Sequence, residues 1–371
     1  MKAKSMILIL GIFCIMSSLS ACSTKEKAVG KKAEIVEFPE YYEKAYDKLS
    51  FKADVLISDE ANVNQMNRYT AIRAKYDMGL AYDEFFKNID VKEIHKGDVL
   101  GDSGKMIKYE DYIGSNKETL YLNGQSLTFT LPFSRYVWNC VYPESGHPRY
   151  NLDKYELGGN LKFMSVGDVY KQILSILKSI GLPDNIDFIP AIYALDYKTL
   201  EQEEYDTDMS GNENTSKYKA SWDEQDDCYY FFMRQKIEGL PLYYVYGNAI
   251  KDLEICYTGI EVIYSNEGIQ RLDIDKLFEI NDSSERKPVS LLSLDELTET
   301  IEKQYEMIIS DNIFEINKME LYMMARKNMK NSYDIFPVWI LFMEQIHADG
   351  EKEIRTPLQN VIDAETGEII S

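Results

Sequence analysis

Few side chains in this sequence suit catalysis, and spacing decides what each can do. The histidines are His95, His147 and His347. Histidine is the side chain that titrates near neutrality, so three scattered ones leave little general-base capacity. No two stand at metal-ligand spacing, and there is no HExxH run. Gly101-Asp102-Ser103-Gly104 would present a serine nucleophile only with a base and an oxyanion pocket. The sole earlier histidine, His95, is six residues before that step, so the segment reads as a Gly-rich turn. Asp206, Asp208, Ser210, Asn212 and Asn214 follow the ligand spacing of a calcium loop. The twelfth position should carry a bidentate Glu and carries Lys217, so residues 202–227 read as a solvated acidic loop. Paired carboxylates for glycoside hydrolysis cannot be singled out among 62 acidic residues. The reading assigns no catalytic residue, no metal and no cofactor.

Cysteine carries more information. Lys2 and Lys4 precede an apolar run from Met6 to Met16, followed by Leu19-Ser20-Ala21-Cys22. A charged start, an apolar middle and small residues at the end are the layout of a secretory signal. The apolar run falls short of the roughly 20 residues that span a bilayer. Leu19 to Cys22 resembles a bacterial lipobox. That resemblance implies a diacylglyceryl thioether on Cys22 and cleavage just before it. Residues 1–21 are then a lipoprotein signal peptide, and 22–34, rich in lysine, a tether. The expected place is the outer face of the cytoplasmic membrane of a Gram-positive cell, with the membrane as a partner through lipid on Cys22. Of the remaining cysteines, Cys140, Cys228 and Cys256, two could form one disulfide, in three possible pairings. Buried free thiols are the favoured reading.

Composition narrows the class. The 371 residues hold 41 basic and 62 acidic side chains, a net charge of −21, which excludes a basic nucleic-acid binder. With 45% apolar and 28% charged residues, the chain is neither disordered throughout, collagen-like nor a multi-span membrane protein.

The elements that would carry any site follow from periodicity and caps. Alternation over Phe51 to Ile57 predicts a strand, with residues 68–75 as its partner. Asp77 caps a helix bearing Leu80, Ala81 and Phe85. Strands follow at 106–112, 119–122 and 127–131, the last two joined through Asn123-Gly124. Ser165 starts a helix with Val169, Ile173 and Leu177 on one face, and Ser293 with Glu296 makes a capping box for a second such helix. The two faces repeat at a constant offset, which suggests an internal duplication. Strands are expected at 228–237, at 259–264 and 269–274 as a hairpin, at 319–325 and at 335–346. The strand at 335–346 is apolar on both faces and should be central.

Phe336-Pro337-Val338-Trp339, Asp349-Gly350 and the run Val361 to Ile370 resemble the end of PepSY-like modules, which set a helix against antiparallel strands. With the lipobox, the strand near Lys48 to Ile57 and the stretch Arg234 to Leu242, the chain also resembles uncharacterised lipoproteins of Clostridia. The resemblance implies an α+β fold of tandem helix-on-antiparallel-sheet modules at 35–160, 161–282 and 283–371. It also implies binding to an extracytoplasmic partner. The function expected is therefore a non-enzymatic, membrane-anchored protein- or peptide-binding module with an envelope or membrane protein partner. The alternatives are a glycan- or small-solute-binding lipoprotein, for which the 28 tyrosines would supply stacking faces, and a cell-envelope hydrolase without a recognisable motif.

Overall fold

The computed structural model describes residues 35–101, 104–143, 149–243, 259–280, 286–307, 312–328, 332–349 and 352–370. Cys22, Cys256, His147, Asp102 and Ser103 lie outside the described residues, as do the expected signal and tether at 1–34. Residues from Val36 onward form one compact unit.

The unit starts with strands β1 (Tyr41–Ala45), β2 (Leu49–Leu56) and β3 (Asn67–Arg73). Helix α1 (Met78–Phe85) leads into β4 (Val91–Leu100), β5 (Met106–Gly114), β6 (Thr119–Leu122) and β7 (Leu127–Thr130). Helix α2 (Ser134–Trp138), strand β8 (Glu156–Leu157) and helix α3 (Val166–Ser179) come next. They lead to β9 (Asp187–Leu195), α4 (Tyr197–Glu203), β10 (Cys228–Ile237), β11 (Leu240–Pro241), β12 (Ile260–Ser265) and β13 (Gly268–Ile274). The C-terminal part holds β14 (Phe278–Ile280), β15 (Lys287–Pro288), α5 (Leu294–Glu306), β16 (Ile313–Lys327), β17 (Tyr333–Asp349), β18 (Lys352–Asp363) and β19 (Ile369–Ile370). No helix among the described residues is long and apolar enough to cross a membrane.

These strands make two large sheets of nine and ten strands, and the expected α+β arrangement of tandem helix-on-sheet modules is corrected on that ground. Strand dominates helix, and the sheets cut across the expected modules. β7 pairs with β13, with Thr128 opposite Asp273, and so fuses strands from before residue 160 with strands after it. β2 runs parallel to β16, and β3 pairs with β17, so the first strands lie in the sheet of the last ones. The physical reason is that an open sheet edge leaves a row of unbonded N–H and C=O groups, and joining two edges removes both rows. Residues 68–75, expected beside β2, instead supply most of β3, which pairs with β14, β15 and β17.

Local signals fare better than assembly. Asp77 accepts the N–H groups of Gly79 and Leu80. Ser165 accepts from Asp168, and Ser293 and Glu296 form the reciprocal box. Val169, Ile173 and Leu177 of α3 are buried against one face of the ten-stranded sheet, beside Phe231, Val262 and Leu272. Leu294, Leu297, Ile301 and Tyr305 of α5 are buried against the nine-stranded sheet, beside Trp339 and Leu341. Each such side chain taken out of water contributes about 1.5–3 kcal/mol. β17 is central as expected, between β16 on one edge and β3 followed by β18 on the other. Pro337 lies where those two neighbours change over. Pairing to β3 ends at Ile335 and pairing to β18 begins at Val338, so the missing N–H falls in the gap.

The sheets meet at Gln235, which is buried on β10. Its side-chain carbonyl accepts the Phe278 N–H at 2.9 Å, and its amide donates to the Phe278 C=O at 2.7 Å. A neighbouring parallel bridge joins Leu242 to Met323. Gln235→Ala strands both backbone groups of Phe278. It is expected to cost about 2 kcal/mol or more in urea unfolding, since each orphaned buried group costs roughly 1–3 kcal/mol.

Candidate functional site

α1 and α3 cover one face of the ten-stranded sheet, and α2 with the 197–226 segment covers only part of the other. The register lines up a row across that second face. Tyr121 of β6 stands opposite Thr128 of β7, Thr128 opposite Asp273 of β13, Asp273 opposite Glu261 of β12, and Glu261 opposite Phe232 of β10. Alternation sends Leu120, Phe129, Leu272, Val262 and Phe231 to the core on the other side. The row therefore consists of the residues that the core leaves over, and it lines a cavity of about 310 Å³ with Trp138 and Arg271 at its wall.

Arg271, two positions before Asp273 on β13, donates from Nε to the Asp273 carboxylate at 2.5 Å. Its guanidinium lies 4.4 Å from the Trp138 ring centre, a cation–π contact that fixes both groups. Trp138 closes α2 and packs edge-on against Tyr230. Glu261 accepts no hydrogen bond from any described residue. Burial, reinforced by Asp273 and opposed by Arg271, pushes its carboxyl up to about 7. A second cavity of about 460 Å³ shares Trp138 and Arg271 with the first and is lined by Lys117, Arg135, Asn139, Asp206 and Lys217.

A carboxyl raised in the folded state binds its proton more tightly there than in the unfolded chain. The contribution of Glu261 to stability is therefore greatest below the unfolded value near 4.5 and is lost as pH rises toward about 7. Glu261→Gln removes this dependence. Urea unfolding should find the variant near wild type at pH 4 and up to about 3.5 kcal/mol more stable at pH 8, since a tenfold change in proton affinity is worth about 1.4 kcal/mol.

The residues weighed from sequence lie elsewhere. His95 is exposed on β4, 3.7 Å from Glu93, and His347 lies on β17 of the other sheet. In the acidic loop, Lys217 binds Asp206 at 2.8 Å and so takes the place a cation would need. Asp208 turns to the backbone N–H groups of Ser210 and Asn212, which hold its carboxyl below the usual range. Among the described residues no group of three or more His, Cys, Asp or Glu could hold a metal. Cys140 and Cys228 are free and buried, and burial pushes both thiols up.

Glu261, Arg271 and Asp273 belong to no motif, and sequence reasoning misses them. The hairpin that holds them is legible, and its alternation sets all three on one face. The register that brings Thr128 and Trp138 to them has no local signal.

No family model and no curated protein matches this chain. Among solved structures, an uncharacterized protein from Eubacterium rectale superposes with a TM-score of 0.58 at 18% identity, over 90% of this chain and 94% of that one. The fold is shared with that protein. The Bacillus megaterium YpeB C-terminal domain aligns over 78% of this chain and 92% of its own, at 10% identity and a TM-score of 0.28, too low to bear on the fold.

Proposed function

We propose that this chain is a non-enzymatic, extracytoplasmic binding protein, held on the outer face of the cytoplasmic membrane by lipid on Cys22, and that the cleft beside Trp138 takes a peptide presented by an envelope or membrane partner. The observation that supports the reading is the cross-sheet row from Tyr121 to Phe232, with Glu261 set deep in it and lacking a hydrogen-bond partner among the described residues. Its aromatic walls and few convergent polar groups have the character of a ligand site, and its volume is at the small end of the usual range.

Thermal unfolding against short peptides and wall saccharides tests it. Peptides should raise the midpoint of the full-length protein by several degrees at millimolar concentration, and Trp138→Ala should abolish the rise. Stabilisation by saccharides alone supports the glycan-binding alternative. No stabilisation by either class overturns the binding role of the cleft.

A hydrolase is the second reading, favoured by two carboxyls on one rung with Glu261 near 7. Directly opposed strand residues have Cβ atoms about 5 Å apart, which brings both carboxyls to one side of the sheet. Turnover of wall fragments by the purified protein, lost in Glu261→Gln, would establish it. Arg271 holding Asp273 as an ion pair argues against a free nucleophile there.

A further inference from the structure

The two cavities that meet at Trp138 and Arg271 differ in charge. Among the described residues, the inner one is lined by Glu261, Asp273 and Asp275 against one guanidinium, Arg271. Among the described residues, the outer one is lined by Lys117, Arg135, Lys217 and Arg271 against one carboxylate, Asp206, which Lys217 already engages. In a chain of net charge −21, a chamber with surplus cations needs a reason. Lys117 supplies a further hint. It sits at φ +73°, a left-handed conformation costly for a residue with a side chain, at the tip of the β5–β6 turn that forms the rim.

We propose that the double cleft recognises a zwitterion, a short peptide with both ends free, its ammonium at Glu261 and its carboxylate between Lys117 and Arg135. This rests on the peptide-binding reading above and specifies its ligand. The middle of the peptide crosses Trp138, whose face is held by Arg271. An arriving ammonium is the partner Glu261 lacks among the described residues. Cationic company also favours the ionised carboxylate, so the ligand relieves the burial that now opposes its charge. At the other end, Arg135 offers the forked donors that suit a carboxylate and Lys117 adds a point charge.

Calorimetric titration of the full-length protein in detergent at pH 7 tests this. The probes are Ala-Phe-Ala with both ends free and its N-acetylated, C-amidated and doubly blocked forms. Blocking either end should weaken binding about tenfold or more. Glu261→Gln should erase the preference for the free amine and keep the preference for the free carboxylate. Lys117→Ala with Arg135→Ala should do the reverse, and both are surface substitutions that leave the core intact. If the doubly blocked peptide binds as well as the free one, the cleft binds peptide but the zwitterion assignment is overturned. If no form binds, both the assignment and the peptide reading fail.

Discussion

A Cys22→Ser chain is expected to take up no labelled fatty acid in a Gram-positive host in which, on the proposed lipid anchoring, the wild-type chain is labelled strongly. In the proposed anchoring, the thiol of Cys22 at the end of the lipobox-like run from Leu19 is where the thioether would form, and serine cannot take its part. The effect should be complete because the anchor is a single covalent link. Each buried methylene contributes about 0.8 kcal/mol, so two acyl chains hold where one only dwells. The apolar run ending at Met16 is too short to span, and a net charge of −21 is repelled by an anionic leaflet. The variant should also leave the membrane pellet after a high-salt wash. Unchanged labelling, or a pellet that keeps the variant, would place the chain elsewhere and remove the proposed localisation.

Trp339→Ala has the largest effect expected on the folded unit. Trp339 is fully buried at the centre of β17, inside the core shared by α5, β2 and β16. Phe38 packs edge-on against it at 5.2 Å between ring centres. Removing the indole leaves a cavity bounded by sheet strands that cannot collapse into it, so the loss should reach about 3–5 kcal/mol in urea unfolding. Trp339→Phe separates packing from polarity. The indole Nε1 is buried and finds no hydrogen-bond partner among the described residues, so phenylalanine gives up volume but also removes an unsatisfied donor. Its cost should be well under half that of alanine. Equal costs for the two would show that the hydrogen of Nε1, and not the ring volume, matters.

What is legible in the sequence and what is hidden divide by range. Ser293 with Glu296, Ser165 with Asp168, and the strand Cys228 to Ile237 are legible because caps and alternation are local. The hairpins at Asn123-Gly124 and Asn266-Glu267 are legible for the same reason. β4 has no signal because most of its residues on both faces are exposed, which leaves no period of two to detect. The fusion of β7 with β13 and the pairing of β3 with β17 are invisible, since edge partners are chosen by the whole assembly. The site is hidden with them. Glu261 and Asp273 lie among many acids, and only the register across five strands distinguishes them.

The parallel pairing of β2 with β16 has a consequence for how the chain comes to be folded. Their paired residues lie more than 260 positions apart, Ile316 against Phe51 for example. β1 can satisfy one edge of β2 as soon as both have emerged, but the other edge must wait for β16, far along the chain. A contact order of this kind makes acquisition of the native state slow and late.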